Sequence, residues 1–551
     1  MNKTYIKLMA LMFAGAAIVS CDNEFDESVE DGDLYTAGEA DFSNFVTVGN
    51  SLTAGFADNA LYLQGQQNSY PSIMAQQMEL VGGGEFIQPL VNDNTGGLLA
   101  GGVQITSNRL VLASDGMGNP TAPRVYTGAA PTTDITNKFT GPLNNYGVPG
   151  ARVFHLGAQG YGSVAGVAQG TANPYYARFS SSESSTVIGD AAAANPTFFT
   201  LWIGNNDILG YATSGGSGVD NNETGETNPG LQGSNSITNI GTFNGVYRNL
   251  VDVMTANGAG GALVNIPDVT SIPFFTTVPS QALSPADPNF GPQIPLLNQV
   301  YGGLNQVFAA FGQGNRAIQF STTAASGLVV RDNDLDDLSA NPAFANALIP
   351  IIQTIGAAQD PPLNLSVAQA TGLAQVLAPQ FGQIRQATAD DLMTLRAASL
   401  LGGNDQTIFA TLTGAGLPAT LAGQLSANGV TFPLSDDLVL DEDEQDAVST
   451  AQTAYNSIIQ AVAAEKDLAF VDARAALAQV ADGGIMFNGG LLSSTFASGG
   501  AFSLDGVHPT ARGYAYTANI IMQAINDKYG SNLPMVNIGQ YPSVQPSDSV
   551  D

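Results

Sequence analysis

An α/β fold built on a parallel central sheet, interrupted by a large and mainly helical insertion, is what the sequence predicts. Three observations carry this. The run Thr197–Ile203 is nearly continuous in apolar and β-favouring residues, as a strand covered on both faces should be. Helix-like stretches alternate with such runs: Ile240–Asn257 precedes Ala262–Ile266, and Glu444–Lys466 precedes Leu468–Asp472. Between residues 280 and 435 the alternation stops, and Ala, Leu, Gln and Pro dominate.

The elements follow in chain order. Phe45–Val48 is a strand-like run ending at Gly49. A helix is expected over Asn68–Leu80, with Pro71 in its first turn. Residues 81–140, rich in Gly, Asn, Thr and Pro, read as loops with scattered strands. Residues 212–236 are low in complexity and read as a mobile loop or an insertion. Within 280–435, helices are expected at Pro342–Ile355, Val367–Ala378 and Ala387–Leu401, and a final helix at Thr510–Tyr529. No fixed-period repeat is present.

Composition narrows the function classes. The chain has 551 residues, of which 44% are hydrophobic, which excludes a disordered chain. Its 16 Lys and Arg against 47 Asp and Glu give a net charge of −31, a poor match for nucleic-acid phosphates or anionic membrane surfaces. The single cysteine, Cys21, permits neither an intramolecular disulfide nor a cysteine-based zinc site. Lys3 and Lys7 precede an apolar stretch, Leu8–Ser20, that is too short to span a bilayer and reads as an export signal. No later stretch is apolar enough to look like a membrane span, so the chain reads as anchored rather than spanning. The expected organisation is a signal peptide at 1–20, an acidic tether at 21–41, an α/β domain in two parts at 42–279 and 436–535, the insertion at 280–435, and a tail at 536–551.

Four segments put hydroxyl, amide, glycine or imidazole chemistry at turns. Gly49-Asn50-Ser51-Leu52 follows the first strand, so the Ser51 hydroxyl is presented at a strand-to-helix turn. Asn145-Tyr146-Gly147-Val148-Pro149-Gly150-Ala151 offers a glycine whose backbone N–H can approach a ligand closely. Gly204-Asn205-Asn206-Asp207 puts a neutral amide donor at a strand end, suited to an oxyanion. Asp505-Gly506-Val507-His508-Pro509 spaces a carboxylate three residues before an imidazole that it can orient as a base. Each has a plainer reading as well: Ser51 as a helix cap, Asn206 and Asp207 as turn caps, Asp505 and His508 as a structural loop pair.

Together, and in this order, the four segments resemble the four sequence blocks of the SGNH hydrolase superfamily, the GDSL esterases and lipases. The resemblance covers residues 43–210, 240–275 and 435–530. It implies a three-layer α/β/α fold and cleavage of carboxylic esters of lipids, acylated glycans or other acyl compounds, through an acyl-serine intermediate. It further implies Ser51 as nucleophile, His508 as base and Asp505 as its orienting partner. The oxyanion hole would be the backbone N–H groups of Ser51 and Gly147 with the Asn206 side chain. No metal or cofactor is implied. Asn50 departs from the family's aspartate, but that aspartate is not one of the catalytic three. A competing expectation is a non-catalytic surface lipoprotein that captures a glycan or lipid on the same scaffold.

Cys21 at the end of its apolar stretch resembles the lipobox of bacterial lipoproteins, implying cleavage before Cys21, lipidation and anchoring in the outer membrane. The acidic run Asp22–Glu27 resembles the surface-export signal of Bacteroidetes lipoproteins. An ordinary secretory signal and a solvated tether are the alternatives. Two further acidic clusters, Asp332–Asp337 and Asp441–Glu444, read as solvated or helix-capping groups; the first lacks the glycine and the terminal glutamate of a calcium loop. His155, the other histidine, reads as structural or as a pocket wall.

Overall fold

A computed structural model describes residues 34–114, 117, 120–359 and 361–550. The expected signal peptide, Cys21 and the acidic run after it lie outside these residues. At the centre is a five-stranded parallel sheet. Its strands are β1 (Phe45–Gly49), β2 (Asn145–Gly147), β3 (Phe198–Trp202), β4 (Gly260–Val264) and β5 (Ala469–Val471), in the spatial order β2-β1-β3-β4-β5. Strands β1 and β3 are buried along their whole length, which is why they read as unbroken apolar runs.

Helices cover the sheet. Those used below are α1 (Ser51–Ala54), α2 (Tyr70–Glu79), α3 (Val187–Ala193), α4 (Asn206–Thr213), α5 (Ile240–Thr255), α6 (Ile294–Ala310), α7 (Pro342–Ala357), α8 (Val367–Phe381), α9 (Gln406–Gly414), α10 (Ala419–Leu425), α11 (Glu442–Glu465), α12 (Ala473–Ala481) and α13 (Ala511–Tyr529). Alternate β3 side chains show one face: Phe198 packs edge-on to Tyr529 of α13, and Trp202 edge-on to Tyr70 of α2. Helix α5 packs against both α3 and α11, which form a second group with it. The arrangement is α/β and compatible with three layers.

The insertion carries a core of its own. Helices α6 to α10 bury Tyr301, Phe308, Phe344, Leu373 and Leu412 together. A two-stranded antiparallel pair, Val329–Arg331 with Ile384–Gln386, ties them. The expected helix over Ala387–Leu401 does not form. Asp391 instead accepts the Thr388 N–H and a fork of hydrogen bonds from Arg385, drawing the chain into a turn before a short 3-10 segment at Leu395–Ser399. Residues 212–236 are likewise tied down: the Arg152 guanidinium donates to the carbonyls of Ser234 and Ser236. The tether also ends earlier than expected. The Glu39 N–H donates to Tyr529 O at 2.8 Å, so the chain joins the domain before residue 42.

Candidate active site

The strand order reverses direction between β1 and β3, and the loops leaving their carboxyl ends open a crevice there, the usual ligand position in such sheets. After β1, Asn50 caps α1: its Oδ1 accepts the Leu52 N–H at 3.0 Å, and its Nδ2 donates to Asn205 Oδ1 at 3.0 Å. An amide therefore does the capping expected of an aspartate here and also ties the first and third segments together. Ser51 stands first in α1, where backbone N–H groups have no helical acceptor.

The fourth segment arrives from the far end of the chain. Thr510 caps α13 by accepting the Gly513 N–H, and Gly506 turns the loop with φ +71°. His508 lies between the two other residues: its Nε2 is 2.9 Å from Ser51 Oγ and its Nδ1 2.9 Å from Asp505 Oδ2. An ionised carboxylate only accepts, so Nδ1 carries the proton and Nε2 is free to accept from the serine hydroxyl. Burial pushes the Asp505 carboxyl up, but the His508 ring and the N–H groups of His508 and Val507 outweigh it and hold the pKa at about 2.

The donors differ from expectation at one position. The Gly147 N–H is already taken, donating to Asn145 Oδ1 at 2.8 Å. Gly147 is needed for packing instead, because a Cβ there would run into the Thr53–Ala54 backbone. Gly150, three residues on, is exposed and has φ +79°, and its N–H has no acceptor among the described residues. Asn206 holds this turn: its Nδ2 donates to Ala151 O at 2.9 Å, leaving a second hydrogen for another acceptor. Asp207 holds the next residues through the Val153 N–H at 2.9 Å, and burial raises its pKa to about 6.

His155 is not part of this array. Its Nδ1 accepts the Arg152 N–H at 3.1 Å, and its ring stacks on Tyr161 at 4.6 Å. Burial and the Arg152 charge lower its pKa to about 4, so it is neutral in use. The insertion reaches the edge of the Asp505–Pro509 loop through Leu395, which crowds Gly506 together with Phe274. An apolar cavity opens beside Ser51 and His508, lined by Trp202, Val264, Val471, Val480 and Ile521 among others, and no insertion residue lines it.

The two acidic clusters, read separately from the sequence, meet: carboxylate oxygens of Asp332, Asp334 and Asp441 lie within 4.8 Å of one another. Arg385 pairs with Asp332 at 2.6 Å, and burial pushes the nearby Glu444 carboxyl up to about 8. These are the described carboxylates that could hold a metal ion, and none of them lines the cavity beside Ser51.

Comparison with family models, with curated proteins and with solved structures finds no match to this chain.

Proposed function

We propose that the protein is a serine hydrolase of SGNH type that cleaves carboxylic esters. The single observation behind this is the unbroken relay Ser51 Oγ–His508–Asp505, with both links at 2.9 Å. Asn50, in place of the family's aspartate, is the sequence feature that would favour a non-catalytic binder. Its side chain still caps α1 below Ser51, so that argument weakens.

In this reading His508 Nε2 takes the Ser51 proton as Oγ bonds to the ester carbonyl carbon. The oxyanion formed is held by the Ser51 and Gly150 N–H groups and the free Asn206 hydrogen. Collapse breaks the bond to the alcohol oxygen, which leaves with the proton from His508. Water then attacks the acyl-serine, again giving its proton to His508, and Ser51 is regenerated as the carboxylic acid departs. Asp505 stays ionised throughout and fixes the ring tautomer.

The address belongs to the same reading: an envelope lipoprotein, held at the outer membrane by lipid on Cys21. Among the described residues no helix is long and apolar enough to cross a membrane. Membrane fractionation of Cys21→Ser tests this, with release from the membrane expected and unchanged partitioning against it. The activity is tested with nitrophenyl esters: turnover by the parent protein and none by Ser51→Ala is expected, and equal release by both would reject it.

A further inference from the structure

A second cavity, of about 330 Å³, is enclosed by residues 57–68, 109–112 and 503–504, the first turn of α13 and the tail at 542–550. Ser503 and Leu504 line it, whereas Val507, His508 and Ala476 of α12 line the cavity beside Ser51, and no residue lines both. The tail is tied in place as its outer wall: the Ser547 N–H donates to Leu112 O at 2.9 Å, and Asp548 pairs with Arg124 at 2.8 Å. Two charged side chains line the cavity, Asp58 and Arg109, and they neutralise each other. Arg109 Nη2 is 3.2 Å from Asp58 Oδ2, and the guanidinium lies 4.0 Å over the Tyr62 ring. Every other lining residue is uncharged. The carboxamides of Gln64 and Gln545 and the Ser543 hydroxyl have no hydrogen-bond partner among the described residues. Val111, Leu112, Val544 and Val550 add apolar surface beside them.

We propose that this cavity binds a neutral sugar unit. An anion gains little from Arg109, whose charge Asp58 already neutralises, and the chain as a whole carries −31. A hydrocarbon would strip water from the carboxamides and the ion pair and return no hydrogen bond. A sugar meets both halves of the lining. Each hydroxyl donates and accepts, so it pairs with the C=O and the N–H of a carboxamide alike, while the C–H faces of the ring rest on the valines and Leu112. Size agrees: a cavity of ~150 Å³ holds a benzene ring, so this one has room for about one or two pyranose rings. The site stands apart from Ser51 and holds whether or not the protein cleaves esters.

The probes are methyl glucoside, methyl galactoside, methyl mannoside and N-acetylglucosamine, each added to the protein and read by saturation-transfer NMR. Saturable transfer to the ring protons of at least one of them is expected. Ser543→Phe puts an aromatic ring in the cavity from the tail and should raise the Kd of that sugar by about tenfold or more. Gln64→Ala removes one carboxamide at an exposed position and should raise it by about fivefold, the loss of one hydrogen bond. If Ser543→Phe fails to fold, Gln64→Ala decides alone. The monosaccharide and its trisaccharide separate two sources of the same chemistry: a free sugar, for which the monosaccharide binds better, and the end of a longer glycan, for which the trisaccharide binds at least as well; both support the site. A folded protein that binds none of the four sugars would overturn the proposal. So would binding that neither substitution weakens, which is the behaviour of a sugar held beside Ser51 instead.

Discussion

Asp58 and Asp505 brace each other through reciprocal backbone hydrogen bonds. The Asn59 N–H donates to Asp505 Oδ2 at 2.9 Å, and the Leu504 N–H donates to Asp58 Oδ1 at 3.0 Å. Both Asp58 (φ +51°) and Asn59 (φ +62°) adopt the left-handed conformation, which Asp and Asn tolerate better than other side chains. Arg109 pairs with Asp58 at 3.2 Å and Tyr62 donates to it at 3.0 Å, so the carboxylate that orients His508 is backed by a second, paired one.

That brace makes Asp58 a positioning residue. Asp58→Ala leaves Arg109 and the Leu504 N–H without their partner in a buried setting, and should cost about 3–5 kcal/mol of stability. A denaturant titration checks this. Esterase turnover should fall in the protein that remains folded, because Asp505 loses its support. A variant as stable as the parent would show that the pair is dispensable.

Asn206→Ala removes one amide donor from the oxyanion position. The expected loss in kcat is about 10²–10³, with KM little changed. Steady-state kinetics on a nitrophenyl ester read it directly, and a parental kcat would take Asn206 out of the reaction.

The two glycines of the second segment should fail differently. Gly147→Ala puts a Cβ against the Thr53–Ala54 backbone and should lower the melting temperature sharply. Gly150→Ala meets only the Asn173 amide nitrogen, at an ordinary contact distance of 4.0 Å, but must keep φ +79°, a strain of about 1–2 kcal/mol, so it should fold and lose activity chiefly at kcat. Thermal melts beside kinetics separate the two; the opposite ranking would return the donor role to Gly147.

Glu444 gives the pH dependence of stability a definite sign. Burial, reinforced by the Asp441, Asp436 and Asp334 charges against the opposing Asp441 N–H, raises its pKa from 4.5 to about 8. The folded state therefore binds the proton more tightly, and this contribution is complete below about pH 4.5 and lost as pH rises through about 8. Glu444→Gln keeps the acceptor for the Asp441 N–H and removes the titration. Its melting temperature should fall less than the parent's between pH 5 and 9, and parallel curves would contradict the assignment.

Much of the candidate site was legible because each residue sits at the end of a strand or the start of a helix, where local pattern is strongest. Ser51, Asn206 and Asp505-x-x-His508 needed no long-range information to be singled out. Which glycine offers its N–H did, because Gly147 and Gly150 stand in one short turn and only the Asn145 side chain decides between them. The helix expected at 387–401 failed for a similar reason: Asp391 is drawn across a turn to Arg385, which Asp332 holds from 53 residues away, and these contacts override the local helical pattern. Asp58 and Asn59 carried the one local signal that was passed over, an Asp-Asn pair suited to left-handed turns. The meeting of Asp332 with Asp441, more than a hundred positions apart, had no signal of its own.

The proposed hydrolase stands or falls with Ser51 as a nucleophile activated by His508. Mass spectrometry after treatment with a fluorophosphonate tests it most directly, because the reagent captures an activated serine whatever the natural ester is. One adduct is expected, on the peptide containing Ser51, absent in Ser51→Ala and formed far more slowly in His508→Ala. A folded protein that takes up no reagent, or takes it up equally without Ser51 or His508, would show that Ser51 is not an activated nucleophile.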